Sequence, residues 1–144
     1  MIRLLAPLLA ALIVCSPAAA QSAHELLVGD TSNINPRYLL QDTNGRSVTS
    51  EDFRGRFQLI AFGYTYCPDV CPTTLAELAQ AQAQWKDLPD TTRPRVLFVS
   101  VDPERDTPTR IGEYAHAFHP DTLAATADTP TLENFAKSLG FVFM

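Results

Sequence analysis

Two nearly continuous apolar runs, "FQLIAFGYTY" (57–66) and "RVLFVSVD" (95–102), restrict this chain more than any other feature. Each has the length of a strand and little alternation of polar with apolar residues, the pattern of a strand covered on both faces. The segment between them carries Leu75, Leu78, Gln82 and Trp85 at steps of three and four, which is one face of a helix. Strand, helix and strand in that order predict a parallel pair joined by a right-handed crossover. The expected class is therefore α/β, with helices flanking a central, mainly parallel sheet.

The neighbouring segments extend this unit. "YLLQDTNGRSVT" (38–49) holds two short strand-like runs about Asn44-Gly45, the strongest short hairpin signal. Thr107-Pro108 announces a second helix with the stripe Ile111, Tyr114, Ala115 and Phe118. Thr129-Pro130 announces a third, with Leu132, Phe135, Ala136 and Leu139 facing inward and Gly140 suited to end it. "FVFM" (141–144) is predicted to begin a third strand of the parallel set. A length of 144 residues with 46% apolar composition supports one globular core. The formal net charge of −5 leaves no basic footprint, so nucleic acid is not an expected partner.

The N-terminus follows other rules. A lone Arg3, an apolar run from Leu4 to Val14 and a small-residue close at Ala18-Ala19-Ala20 have the layout of a secretory signal, with cleavage expected after Ala20. The run falls short of the roughly 20 residues of a membrane span, so an uncleaved anchor over 1–20 is the lesser expectation. Cys15 follows the bulky Val14 and is read as a small apolar residue lost with the signal rather than as a lipid acceptor. Residues 21–36 are read as an N-terminal tail and 37–144 as the folded domain. Export places the two remaining cysteines where disulfides persist, so the pair is expected to be bonded, actively kept reduced or capped by a metal.

Those cysteines, Cys67 and Cys71, stand in "GYTYCPDVCPTT" (63–74), between the first buried strand, read as a central one, and its helix. Open α/β sheets build their sites at this carboxyl edge. Pro72 suits the first helical turn, and the free N–H groups and partial positive charge there are expected to lower the pKa of both thiols. Several chemistries stay open. Two soft thiolates suit Cu(I). Structural zinc wants four ligands, and the three histidines are not at finger spacing. A dithiol oxidoreductase is not excluded, although the cysteines are one residue further apart than in the familiar redox motif, which loosens a disulfide without forbidding it. Two inert buried cysteines are the remaining alternative, and the prolines and the loop position speak against it. Asp69 is read first as a helix cap and second as a group that orients a cationic partner. Asp102, Glu104, Arg105 and Asp106 follow the second strand at the same edge. They are read either as a hydrogen-bonded shell around the sulfurs or as a turn set by Asp102-Pro103. Tyr64 and Tyr66 are read as strand and rim packing.

"FGYTYCPDVCPTTLAEL", "VLFVSVDPERDTP" and "YAHAFHP" together resemble the Sco/SenC family, and the likeness runs from about Tyr38 to the end of the sequence. The C-P-D-V-C-P core with D-P-E-R-D-T-P is far more specific than a C-x-x-x-C spacing alone. The resemblance implies a thioredoxin-like fold and a copper-binding metallochaperone that delivers copper for assembly of the copper centre of cytochrome c oxidase. It implies that Cys67 and Cys71 are the copper ligands, with Cu(I) favoured and Cu(II) possible. The implied partners are cytochrome c oxidase subunit II and a copper donor protein. The implied location is the periplasm, soluble or tethered to the inner membrane through the N-terminus. Such a protein is not a turnover enzyme. The alternative is an exported thiol-disulfide reductase acting on the cysteines of oxidase subunit II, with Cys67 and Cys71 redox-active. Peroxide reduction on the same fold needs a single activated cysteine with an Arg neighbour, and the pairing speaks against it.

The family pattern adds a histidine in a D-H-S/T stretch after the third strand, and the sequence stops at Met144 before such a stretch. No histidine is therefore assigned as a ligand. His24 falls in the tail, His116 opposite the apolar stripe of its helix, and His119 beside Pro120 at a helix end. The expectation is a chain truncated before the closing strand and helix of the fold, unstable with Phe141 and Phe143 exposed, that binds copper through two thiolates alone.

Overall fold

Asn44-Gly45 closes a hairpin in which β1 (Leu39–Asp42) and β2 (Ser47–Thr49) pair antiparallel, Leu40 opposite Val48. Gly45 takes a φ of 77°, which the turn requires and glycine adopts freely. The Asp42 carboxylate accepts from the backbone N–H groups of Asn44 (2.8 Å) and Arg46 (2.9 Å), so the turn's donors are satisfied by a local side chain. A 3-10 turn (Ser50–Phe53) follows and buries Phe53. The computed structural model describes residues 36–143, all within one unit, Ile34–Met144. The signal expected over 1–20, Cys15, His24, nearly all of the expected tail and Met144 lie outside the described residues.

The chain then runs β3 (Gln58–Gly63), α1 (Val70–Gln84), β4 (Arg95–Ser100), α2 (Pro108–Phe118), β5 (Leu123–Thr126) and α3 (Thr129–Ser138). Strands β3, β4 and β5 are parallel, with Gln58 beside Arg95 and Gly63 beside Ser100, and β1 joins β5 antiparallel. The strand order is β2-β1-β5-β4-β3. Val96, Leu97, Phe98 and Val99 of β4 are each at most 1% exposed, which is why that segment reads as an unbroken apolar run. On one face α3 packs Leu132 and Phe135 against Leu97, Val99 and Ala125; the Phe135 ring lies 4.5 Å from Tyr38 and 5.2 Å from Phe62. On the other, Leu75 of α1 and Ile111 and Ala115 of α2 meet Phe98 and Ala124. Each large apolar side chain so buried contributes about 1.5–3 kcal/mol of transfer free energy.

Helix starts carry their signals. The Thr107 hydroxyl accepts from Arg110 N–H (3.3 Å) at the head of α2, and Asp128 accepts from Thr131 N–H (2.9 Å) at the head of α3. Gly140, at φ 82°, ends α3, and the Phe141 N–H returns to the Ala136 carbonyl at 3.1 Å.

The structure corrects two expectations. The third parallel strand is β5, "LAAT", rather than "FVFM": residues 141–143 form no strand. Alanine has little strand preference of its own, and β5 exists because β1 and β4 flank it with open hydrogen-bonding edges. The positive φ at Gly140 instead turns the chain back over the sheet. Phe141 meets the Phe62 ring edge-on at 4.6 Å, Phe143 packs on the same core, and only Val142, 73% exposed, faces out. Second, β3 is the outermost strand of the described sheet, not a central one, and Gln58 to Phe62 are half-buried. Among the described residues no helix is long and apolar enough to cross a membrane.

Candidate metal centre

The carboxyl ends of β3 and β4 lie side by side, tied by the Val101 N–H donating to the Gly63 carbonyl at 2.9 Å. From Gly63 the chain turns sharply, and the Cys67 N–H closes the turn on the Tyr64 carbonyl (3.2 Å). Cys67 then sits just before α1, and Cys71 in its first turn. Both are free thiols, each about 8% exposed.

Their environments differ. Cys67 Sγ accepts the Cys71 N–H at 3.3 Å. The Cys71 thiol and the N–H groups of Cys71, Asp69 and Val70 hold the Cys67 thiol below its ordinary range, against the opposing effect of burial. Burial pushes the Cys71 thiol up to about 11, and its hydrogen bond to Cys67 and the charge there add to the rise. The expectation that both thiols are acidified is corrected. The helix start thus favours negative charge on Cys67 more than on Cys71.

Asp69 occupies the N-cap position of α1, yet its side chain makes no capping bond. Its carbonyl accepts from the Thr73 N–H (3.2 Å) and hydroxyl (3.0 Å), while the Cys67 sulfur takes the place of a capping oxygen. Gly63 also shapes the pair. A Cβ there would stand 2.9 Å from Cys71 Sγ and 2.9 Å from a Phe98 ring carbon, so the bare glycine leaves the room in which the Cys71 sulfur rests. Gly63 bears no reactive group that would mark it in the sequence. The available signal was a glycine closing a strand four positions before the first cysteine.

The residues after β4 divide. Asp106 is fully buried and accepts from the Thr65 N–H (2.8 Å), the Thr65 hydroxyl (2.5 Å) and the Ser100 hydroxyl (2.7 Å). Asp102 pairs with Arg105, whose guanidinium lies 6.0 Å from the Tyr64 ring and 5.5 Å from the Tyr66 ring. The Arg110 guanidinium also lies near the Tyr66 ring, at 4.9 Å, and donates to its hydroxyl. Glu104 is exposed. A cleft of about 420 Å³ at this edge is lined by Tyr64, Asp102, Arg105, Glu133 and Phe143, and neither cysteine lines it.

His116 lies on the exposed side of α2, and His119, at its C-terminal end, accepts the Asp121 N–H on Nδ1 at 3.2 Å. Among the described residues no three His, Cys, Asp or Glu side chains gather into a group able to hold a metal ion. Within that limit the corner offers two adjacent sulfurs of unequal acidity: two soft donors suited to a monovalent soft cation, or a dithiol able to exchange with a disulfide.

Comparison with known proteins narrows the choice of family. The SCO1/SenC family model matches residues 28–144. A bovine protein, the mitochondrial SCO2 homolog, is 38% identical over 101 residues, which is 70% of this chain and 38% of that protein. A Stutzerimonas stutzeri protein named for copper binding is 32% identical over 95% of this chain and 70% of its own length. Among solved structures, Arabidopsis thaliana ScoI with copper bound superposes with a TM-score of 0.66 at 34% identity, covering 73% of this chain and 65% of that one. BsSco, described as carrying a disulfide switch and as a member of the Sco family of cytochrome c oxidase assembly proteins, superposes at 0.62 with 26% identity, covering 74% and 64%. The chain thus spans well under half of the bovine relative's length and about two thirds of the structures it matches. The sheet and helices shared with these neighbours are the thioredoxin-like fold. This chain belongs to the SCO1/SenC family.

Proposed function

We propose that this protein binds copper through Cys67 and Cys71 and hands it to an acceptor during assembly of the copper centre of cytochrome c oxidase. The observation that carries the reading is the placement of Cys67 Sγ on the N–H groups at the head of α1, 3.3 Å from the Cys71 nitrogen, with the second sulfur beside it under Gly63. The ion is cargo. A soft Cu(I) meets the thiolate of Cys67 first, and binding to the second sulfur releases the Cys71 proton. Release proceeds by exchange, a partner thiolate taking the place of one sulfur at a time. A copper donor protein and cytochrome c oxidase subunit II are the partners this role requires, and residues 1–20 supply export to the periplasm, with the protein soluble or tethered to the inner membrane. The copper-bound Arabidopsis neighbour and the oxidase-assembly description of BsSco support the same assignment.

Competition of the reduced protein against a Cu(I) chelator tests it. One copper per chain is expected for the unmodified protein, and Cys67→Ser and Cys71→Ser are each expected to lose it. Undiminished uptake by either variant overturns the assignment.

The asymmetry of the two thiols favours a second reading, thiol-disulfide reduction. The Cys67 thiolate attacks a partner disulfide, forming a mixed disulfide and expelling one partner thiolate. Cys71 then gives up its proton and attacks the Cys67 sulfur, forming the Cys67–Cys71 disulfide and expelling the second partner thiol, two electrons passing to the partner. Catalytic turnover of a model disulfide by protein that ignores copper selects this reading over the first.

A further inference from the structure

Asp106 is 0% exposed, and the three groups that satisfy its carboxylate are neutral: the Thr65 N–H, the Thr65 hydroxyl and the Ser100 hydroxyl. Hiding an unpaired carboxylate is expensive, and it is kept only where good hydrogen bonds replace water. Two of those bonds reach Thr65, 41 residues away in sequence, inside the turn that the Cys67 N–H closes on the Tyr64 carbonyl. The third reaches Ser100, the last residue of β4, whose hydroxyl also accepts from the Asp102 N–H at 3.2 Å. Asp106 thus fastens the cysteine-bearing turn to the end of the neighbouring strand. Its own backbone is fixed by its N–H donating to the Asp102 carbonyl at 2.9 Å.

We infer that Asp106 is a positioning residue for the sulfur pair: by clamping Thr65 it holds the turn in the one conformation that sets Cys67 Sγ on the N–H groups of α1. It touches neither sulfur in the structure and acts through Thr65. The inference deepens the proposed copper site and rests on that reading for its copper readout, but its redox readout does not need copper. Groups that orient the ligands of a metal site change affinity by about 10–100-fold when removed, which sets the size of effect expected here.

Three single variants separate positioning from plain stabilisation. Thr65→Val and Ser100→Ala each remove one hydroxyl bond to Asp106 and are expected to lower the melting temperature by similar amounts. Thr65→Val loosens the cysteine turn, and it is expected to weaken Cu(I) binding about tenfold in chelator competition. It is also expected to lower the reduction potential of the Cys67–Cys71 pair in a glutathione buffer by about 30 mV, the equivalent of tenfold in a two-electron equilibrium, because the reduced form loses the hydrogen bond that Cys67 Sγ accepts from the Cys71 N–H. Thr65→Ser restores the hydroxyl and is expected to recover both values, and Ser100→Ala is expected to leave both near those of the unmodified protein. A folded Asp106→Asn protein, judged by circular dichroism, should match or exceed the Thr65→Val effect. Failure of Asp106→Asn to fold leaves the decision with the Thr65 and Ser100 variants. Overturning results are a Thr65→Val protein with unchanged affinity and potential, or a Ser100→Ala protein that shifts both as far as Thr65→Val does. Absence of copper binding in the unmodified protein would sink the proposed function alone, since the potentials still decide the role of Asp106.

Discussion

Adding one methyl group at Gly63 tests the most confined feature of the site. Gly63 has no positive φ, so alanine there meets no backbone objection and the effect is purely one of space. The new Cβ would lie 2.9 Å from Cys71 Sγ and 2.9 Å from a ring carbon of Phe98, well inside ordinary contact distance for both. Phe98, on β4, is 1% exposed and packs against Leu75 of α1 and Ile111 and Ala115 of α2, its ring meeting Tyr114 at 5.6 Å. The ring therefore has little freedom, and the cysteine side chain or the start of α1 must move. Overpacking of this kind costs about 1–3 kcal/mol, against which the buried methyl returns at most about 0.8 kcal/mol. With the full return the expected net loss for Gly63→Ala is roughly 0.2–2 kcal/mol, a fall in melting temperature of about 1–10 °C for a domain of this size. Cu(I) affinity should fall with it, because the sulfur displaced is one of the two proposed ligands. Shrinking the ring by Phe98→Leu in the alanine background should recover part of the loss, a coupling of opposite sign to two independent core lesions. Thermal melts and chelator competition on the single and double variants check this. An alanine variant that melts and binds copper like the unmodified protein would refute the packing of Cys71 under Gly63.

The thiols should alkylate in order. Cys67, held below the ordinary thiol range, is expected to react with iodoacetamide at lower pH than a free cysteine, while Cys71, pushed up to about 11, lags behind; peptide mapping after a short pulse reads which sulfur is labelled. In Cys67→Ser, losing the neighbouring charge should bring the Cys71 profile down, although burial keeps it above a free thiol. The carboxyls of Asp42, Asp52 and Asp128 are all depressed in the folded state, Asp52 and Asp128 chiefly by hydrogen bonds from Thr49 and Thr131 and Asp42 by its bonds to Arg46 and Asn44 against burial. Each therefore adds stability that is complete above the unfolded carboxyl range and is lost as pH falls through the folded values, so melting temperature should hold between pH 5 and pH 7 and drop toward pH 3. Phe135→Ala removes a 2% exposed ring that touches Tyr38 and Phe62, and should cost about 3–5 kcal/mol by chemical denaturation.

What the amino-acid order revealed and what it hid follow from how local each feature is. The hairpin at Asn44-Gly45, the β4 run, the Thr-Pro helix starts and Gly140 at a helix end rest on local preferences, and the structure has each where the residues predict it. Strand β5 was hidden because Leu123-Ala-Ala-Thr owes its conformation to flanking strands rather than to its own side chains. The apolar "FVFM" misled for the complementary reason, since apolarity alone cannot tell a strand from rings folded back on a core. At the site, the loop between β3 and α1 was legible from the strand and helix patterns on either side. The inequality of the thiols was not, because it depends on which sulfur lies under Gly63 and which meets the N–H groups of α1. The Asp106–Thr65 clamp joins residues 41 apart and has no periodic trace. Asp69 failed as a side-chain cap because the Cys67 sulfur already occupied the place.

Gly63, Thr65, Cys67, Cys71, Ser100 and Asp106 all come from one uninterrupted span of chain, and neither the hairpin nor α3 supplies an atom to the contacts among them. The dithiol corner is for that reason compact along the chain, but it is not isolated. The Thr126 hydroxyl of β5 donates to the Ser100 carbonyl at 3.0 Å, so a change of length between α2 and β5 pulls on the Ser100 side. One residue inserted between Gly63 and Cys67 acts directly on the turn that carries Thr65 and Cys67.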